Sequence, residues 1–216
     1  DMEAEQLKEA LSRKFCLPKT YFLPGNGASE LFLGILHALK PKKVILPVPS
    51  FYGYAYTAKA VGSEVVCVPL KKEEDFLPGE ELVLALQEDT ELLFLANPNN
   101  PTGKLMKPAY LENVLEVCKE KNIYVVLDEC FIEFCEKENS IVQKLSTYRN
   151  LLIVRAFTKI YAIPGVRLGY LMCSDEELLQ KIRVQLSEWN LSSFAEAAGI
   201  ACLQQQEYLK KTVEYV

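Results

Sequence analysis

Glu91-Leu92-Leu93-Phe94-Leu95-Ala96-Asn97-Pro98-Asn99-Asn100-Pro101-Thr102-Gly103 is the stretch that decides the fold. It starts as a short, almost wholly apolar run and ends in the residues that turns favour. An apolar run of this length bounded by a turn predicts a strand buried on both faces. The same grammar recurs at residues 44–48, 64–70, 123–127, 151–157 and 167–173. Between these runs lie segments of helical period. Residues 29–39 put Leu31, Phe32, Ile35, Leu36 and Leu39 on one stripe. Residues 108–121 open on a proline, which suits a first helical turn, and gather Leu111, Val114, Leu115 and Cys118. Residues 175–186 follow Ser174, read as an N-cap, and residues 194–215 read as one closing helix. Strand–helix alternation predicts an α/β fold, a three-layer sandwich with a mostly parallel sheet and helices on both faces.

Composition sets the outer limits. The 216 residues are enough for one large domain with a real core, half of them apolar and a quarter charged. A net charge of −5 and short lysine pairs (Lys42-Lys43, Lys71-Lys72, Lys210-Lys211) speak against a nucleic-acid binder; the pairs read as solvated surface. The seven cysteines form no C-x-x-C pair, and most sit in apolar runs such as Val65-Val66-Cys67-Val68. They read as small buried hydrophobes in a reducing compartment, and the chain as cytoplasmic. The single histidine, His37, reads as a helix-surface or core residue, and one histidine leaves no histidine-rich metal site. No metal is expected, and no apolar run approaches the ~20 residues that span a bilayer.

In a parallel α/β sheet, ligands bind at the carboxyl ends of strands. Three polar clusters fall there: Asn97 to Gly103, Asp128-Glu129 and Thr158-Lys159. Each alone could be an ordinary turn. Together they offer an amide, a carboxylate and an amine to one small molecule. A lysine amine can hold a carbonyl cofactor such as pyridoxal 5′-phosphate (PLP) as a Schiff base. A buried carboxylate such as Asp128 would keep the cofactor's ring nitrogen protonated, and Asn100 could donate to its ring oxygen. A phosphate wants backbone N–H groups and cations. Gly25-Asn26-Gly27-Ala28-Ser29 runs directly into the 29–39 helix, and Thr158 and Arg167 could complete that anion site.

These motifs, in this order and over nearly the whole chain, resemble the fold-type-I PLP-dependent aminotransferases. The resemblance lies in NPNNPTG at 97–103, Asp128-Glu129, Thr158-Lys159, and Pro164-Gly165-Val166-Arg167-Leu168-Gly169-Tyr170. It is greatest to the branch that holds histidinol-phosphate aminotransferases and threonine-phosphate decarboxylases. The resemblance implies roles. Lys159 would be the Schiff-base lysine and the acid–base catalyst. Asp128 would pair with the ring nitrogen, Asn100 with the ring oxygen, and Phe51 would stack on the ring. Ala28, Ser29, Thr158 and Arg167 would contact the phosphate. It further implies a homodimer. Glu129 and Glu133 are expected to face solvent or a neighbouring loop.

Phe131 departs from the pattern, since many relatives have a tyrosine three residues after the aspartate, bonded to the ring oxygen. Thr158 replaces a common serine. The run from Phe157 to Gly165, like Phe131, leans towards the decarboxylases. Residues 1–216 read as the PLP-binding large domain alone, with the family's N-terminal arm and C-terminal small domain, and the substrate-clamping arginine, expected to be absent. The implied reaction is at the Cα of a small, phosphorylated amino acid. Transamination, as in amino-acid biosynthesis, comes first; the alternative is the threonine-phosphate decarboxylase of the cobalamin pathway, a lyase. Two other readings stand beside it. A dinucleotide-binding domain would start at Gly25-Asn26-Gly27, but Glu30 replaces the third glycine, and residues 44–48 end in Pro49-Ser50, not an acid. A non-catalytic fragment is the third.

Overall fold

The computed structural model describes residues 3–216. Seven strands form one sheet: β1 (Phe22–Gly25), β2 (Lys43–Val48), β3 (Glu64–Pro69), β4 (Leu92–Ala96), β5 (Tyr124–Asp128), β6 (Leu151–Ala156) and β7 (Gly169–Met172). Their order is β1-β7-β6-β5-β4-β2-β3. Strands β2 to β6 pair in parallel, while β7 runs antiparallel to both β6 and β1. The fold is therefore the α/β sandwich with a mostly parallel sheet that the alternation predicts, with β7 as the antiparallel exception.

Helices α1 (Glu5–Phe15), α4 (Glu80–Ala85), α5 (Pro108–Glu120) and α7 (Ser193–Leu203) pack on one face; α2 (Ala28–Leu39), α3 (Tyr52–Ala60) and α6 (Glu176–Arg183) pack on the other. The period-two pleat sorts each strand's side chains between these layers. On β5, Val125 and Leu127 enter the α1/α5 core and Val126 the α2/α3 core. On β6, Ile153 and Val154 divide the same way.

Most expected elements lie within a residue or two of their predicted bounds. Three details differ. The strand expected at 167–173 starts at Gly169, because Arg167 is left-handed (φ 57°) and cannot join a ladder. The cap of α6 is Asp175, whose carboxylate accepts from the Leu178 N–H, while the Ser174 hydroxyl donates to the Leu145 carbonyl. The closing helix is two, α7 and α8 (Gln206–Tyr215), broken at Gln204-Gln205. The connection from α6 to α7 carries Trp189, the sole tryptophan of the sequence, 71% exposed.

The cysteine expectation holds in part. Cys118, Cys130 and Cys173 are buried, Cys135 and Cys202 half-buried, and Cys16 and Cys67 exposed. Cys67 is open because β3 is the edge strand. His37 is exposed on α2. Among the described residues no helix is long and apolar enough to cross a membrane, and no His, Cys, Asp or Glu cluster could hold a metal ion.

Candidate active site

Strands β2 and β4 are neighbours, yet the chain leaves β2 towards β3 and leaves β4 towards β5. This reversal opens a crevice at the carboxyl ends of the strands, where sheets of this kind bind ligands. The loops after the two strands are tied across it, since the Asn99 side-chain amide donates to the Pro49 carbonyl (3.0 Å) and to Thr102 Oγ1 (2.9 Å). Asn97 is buried and its Oδ1 accepts from the Met106 N–H (2.8 Å). Asn97 and Asn99 thus hold the loop, leaving Asn100 half-buried within it.

Asp128 ends β5 beside this loop, paired in register with Ala96 of β4 and Val154 of β6. It is 8% exposed. Its Oδ1 accepts from the Cys130 N–H (2.8 Å) and its Oδ2 from the Tyr54 hydroxyl (2.5 Å). Burial pushes the carboxyl above the usual range, while Cys130, Tyr54 and the charge of Lys159 pull the other way. A buried carboxylate with donors but, among the described residues, no cation in contact suits a cationic partner from outside the chain.

Thr158 and Lys159 follow β6. Thr158 is buried; Lys159 is exposed, with Nζ 5.9 Å from the centre of the Phe131 ring. The Phe157 N–H donates to the Leu168 carbonyl (3.1 Å), which brings the lysine segment alongside Arg167.

The third component is the start of α2. Gly27, at φ 77°, precedes the helix, and no side chain caps it. A Cβ on Gly27 would sit 2.6 Å from a terminal nitrogen of Arg167, so the guanidinium lies directly against this backbone. A Cβ on Gly169 would meet the Ala28 nitrogen at 2.9 Å, so β7 and the helix start pack main chain to main chain. Ala28 is half-buried and Ser29 exposed on the first turn. An uncapped helix start beneath an arginine is a cradle for an anion.

Phe51 is half-buried at the entrance to α3. Its ring meets that of Tyr54 edge-on (5.4 Å, 81°). All eight residues read from the sequence lie on loops, a strand end and a helix start at the carboxyl-end side of the parallel strands. Tyr54 was not among them, although it falls one helical turn after Phe51, the spacing that shares a face.

Glu129, expected to face solvent or a neighbouring loop, meets the loop and not the solvent. It is 1% exposed, on the face opposite Asp128, and its Oε2 accepts from Arg155 Nε (3.0 Å) and a terminal Arg155 nitrogen (2.6 Å). Ser140 donates to the same carboxylate. Burial works to lower the Arg155 pKa, and the Glu129 charge, the charges of Tyr170 and Glu133 and the Glu129 hydrogen bond together more than offset it, holding the guanidinium above its ordinary value. Glu133 reaches back to α1, where it pairs with Lys14 at 2.7 Å.

Comparison with known proteins decides the family. The family model "Aminotransferase class I and II" matches residues 1–216. The chain belongs to the class I and II aminotransferases. Among curated aminotransferase relatives, a threonine-phosphate decarboxylase of Salmonella typhimurium is 33% identical over 98% of this chain and 58% of its own length. A histidinol-phosphate aminotransferase of Symbiobacterium thermophilum is 36% identical over 97% of this chain and 57% of its own. The chain thus spans less than two thirds of the relatives it matches. Two solved structures agree on the fold. The histidinol-phosphate aminotransferase of Clostridium acetobutylicum superposes with a TM-score of 0.91 at 32% identity, covering 99% of this chain and 63% of that one. That of Sinorhizobium meliloti, solved with pyridoxal-5′-phosphate, gives 0.92 at 26%, covering 99% and 58%.

Proposed function

We propose that residues 1–216 are the cofactor-binding large domain of a PLP-dependent enzyme acting at the Cα of a small, phosphorylated amino acid. The observation that carries the reading is the anion cradle of Arg167 and the α2 start, at the same end of the sheet as the buried Asp128 and the exposed Lys159. This donor set fits the cofactor, with a cation and N–H groups for its phosphate and an anion for its ring nitrogen.

Arg167 would clamp the phosphate by charge-assisted bonds, with the N–H groups of Ala28 and Ser29 and the Thr158 hydroxyl beside it. Asp128 would hold the proton on the ring nitrogen. Asn100 would donate to the ring oxygen, and Phe51 would cover one face and exclude water. The group supplies, when bound, an electron sink for charge developing at Cα. Lys159 Nζ would hold the cofactor covalently and, once freed, move the proton at the substrate Cα.

Loss of that proton leads to transamination, the first reading, in line with the histidinol-phosphate aminotransferase relatives. Loss of the carboxylate is the second. It is favoured by the Salmonella relative, and by Phe131, which offers no hydroxyl near Lys159. A homodimer in a reducing, cytoplasmic setting completes the proposal.

The test is to add PLP to the purified chain and record the visible spectrum beside Lys159→Ala. A cofactor band that survives gel filtration and vanishes in the variant supports the reading. No retained band in the intact chain overturns it for this chain. Threonine phosphate and histidinol phosphate, assayed for carbon dioxide and for a keto product, then separate the two reactions.

A further inference from the structure

We infer that Tyr54 is a positioning residue of this site: its buried hydroxyl donates to the Asp128 carboxylate and fixes it in place where it would face the ring nitrogen. The inference rests on the PLP reading above and deepens it.

The ring of Tyr54 cannot turn away. It is 1% exposed, stacked on Phe94 (5.0 Å, 14°), and met edge-on by Phe32 (5.2 Å, 86°) and Phe51 (5.4 Å, 81°). Aromatic packing of this kind is satisfied by phenylalanine as well as by tyrosine. The hydroxyl adds no packing and would cost free energy if buried without a partner. It donates to Asp128 Oδ2, at 2.5 Å.

The two carboxylate oxygens are thus anchored from different elements, Oδ2 from α3 and Oδ1 from the main chain after β5. Such anchoring sets the plane of the carboxylate and leaves lone pairs for a third partner. Among the described residues three side chains act on Asp128: Cys130 two residues further on, Tyr54 from α3, and Lys159 from the end of β6. Arg155, on the opposite face, is taken up by Glu129. The burial of Asp128 works against ionisation, so the Tyr54 donor opposes that burial. The Tyr54 hydroxyl itself is held protonated, by burial first and by the Asp128 charge second. The same tyrosine links the carboxylate to Phe51, so one residue supports both the ring's anion and its aromatic cover.

The test is a carboxyl-carbon NMR titration of Asp128 in the cofactor-free chain, for the wild type, Tyr54→Phe and Phe94→Leu. Loss of one charge-assisted hydrogen bond is expected to favour the protonated carboxyl by roughly tenfold in Tyr54→Phe. Phe94→Leu disturbs the packing but keeps the hydroxyl and should leave the titration in place. An unchanged titration in Tyr54→Phe, or an equal shift in both variants, overturns the inference. PLP retention by the same three proteins is measured separately. Failure of the wild type to retain PLP counts against the PLP reading, whereas the titration decides the role of Tyr54.

Discussion

Asp128 and Glu129 are adjacent carboxylates, both buried, at the end of one strand. The pleat sends them to opposite layers, and there they are treated differently. Glu129 meets a guanidinium and a hydroxyl, and its charge is neutralised within the chain. Asp128 receives a phenol and an N–H but, among the described residues, no cation in contact. The first arrangement is closed and serves the fold. The second is held in place yet electrostatically incomplete, which is the condition of a group kept for a ligand. One residue of sequence therefore separates a structural acid from a candidate functional one.

The sharpest way to break this contrast is to remove the cation from the closed pair. Arg155→Met strands Glu129 as a buried, unpaired charge and should destabilise the chain by about 3–5 kcal/mol, read by urea denaturation. PLP retention per folded molecule should survive. If the stability loss is small, Glu129 is not the closed acid described here.

Asp128→Asn makes the converse test. PLP retention should fall by roughly 10- to 100-fold, the worth of one charge-assisted contact. Stability should respond with the opposite sign. The folded pKa of Asp128 is raised above the ordinary 3.8, so the native chain holds the proton more tightly than the unfolded chain does. The cofactor-free wild type therefore loses stability as pH rises from about 3.8 towards the folded value. Asp128→Asn should remove that slope in denaturation curves taken across pH.

Gly27→Ala sharpens the phosphate half of the site. A side chain at φ 77° is strained, and its Cβ would displace the Arg167 guanidinium. We expect a stability cost of about 1–2 kcal/mol and weaker retention of both PLP and inorganic phosphate, followed by thermal shift. Cys67→Ser lies at the far end of the scale. On an exposed edge-strand position it should change stability by less than about 0.5 kcal/mol and leave retention unchanged.

The contrast also marks what the sequence could disclose. Local signals were enough for most strands and for α2 and α5, whose apolar periods stand clear. They pointed to a candidate site because three of its clusters, Asn97 to Gly103, Asp128-Glu129 and Thr158-Lys159, follow strands, where motif and turn chemistry stand out. Signals were weak where pairing is long-range. β1 is four residues containing Pro24 and Gly25, and its strand character comes from pairing with β7. The antiparallel direction of β7 has no local mark. The helix α3 (YGYAYTAKA) carries little amphipathic pattern, so Tyr54 went unnoticed. The burial of Glu129 had no local mark because its partner Arg155 lies 26 residues further along the chain.

Trp189 gives the molecule a built-in optical label in an unusual place. Its indole stands 71% exposed on the connection from α6 to α7, and no second tryptophan shares the signal. Its emission in the folded chain should already resemble that of an indole in water, so unfolding would shift the colour little. A fluorescence melt would then be nearly silent while circular dichroism records the loss of helix. A blue shift would report instead that something has settled over that connection.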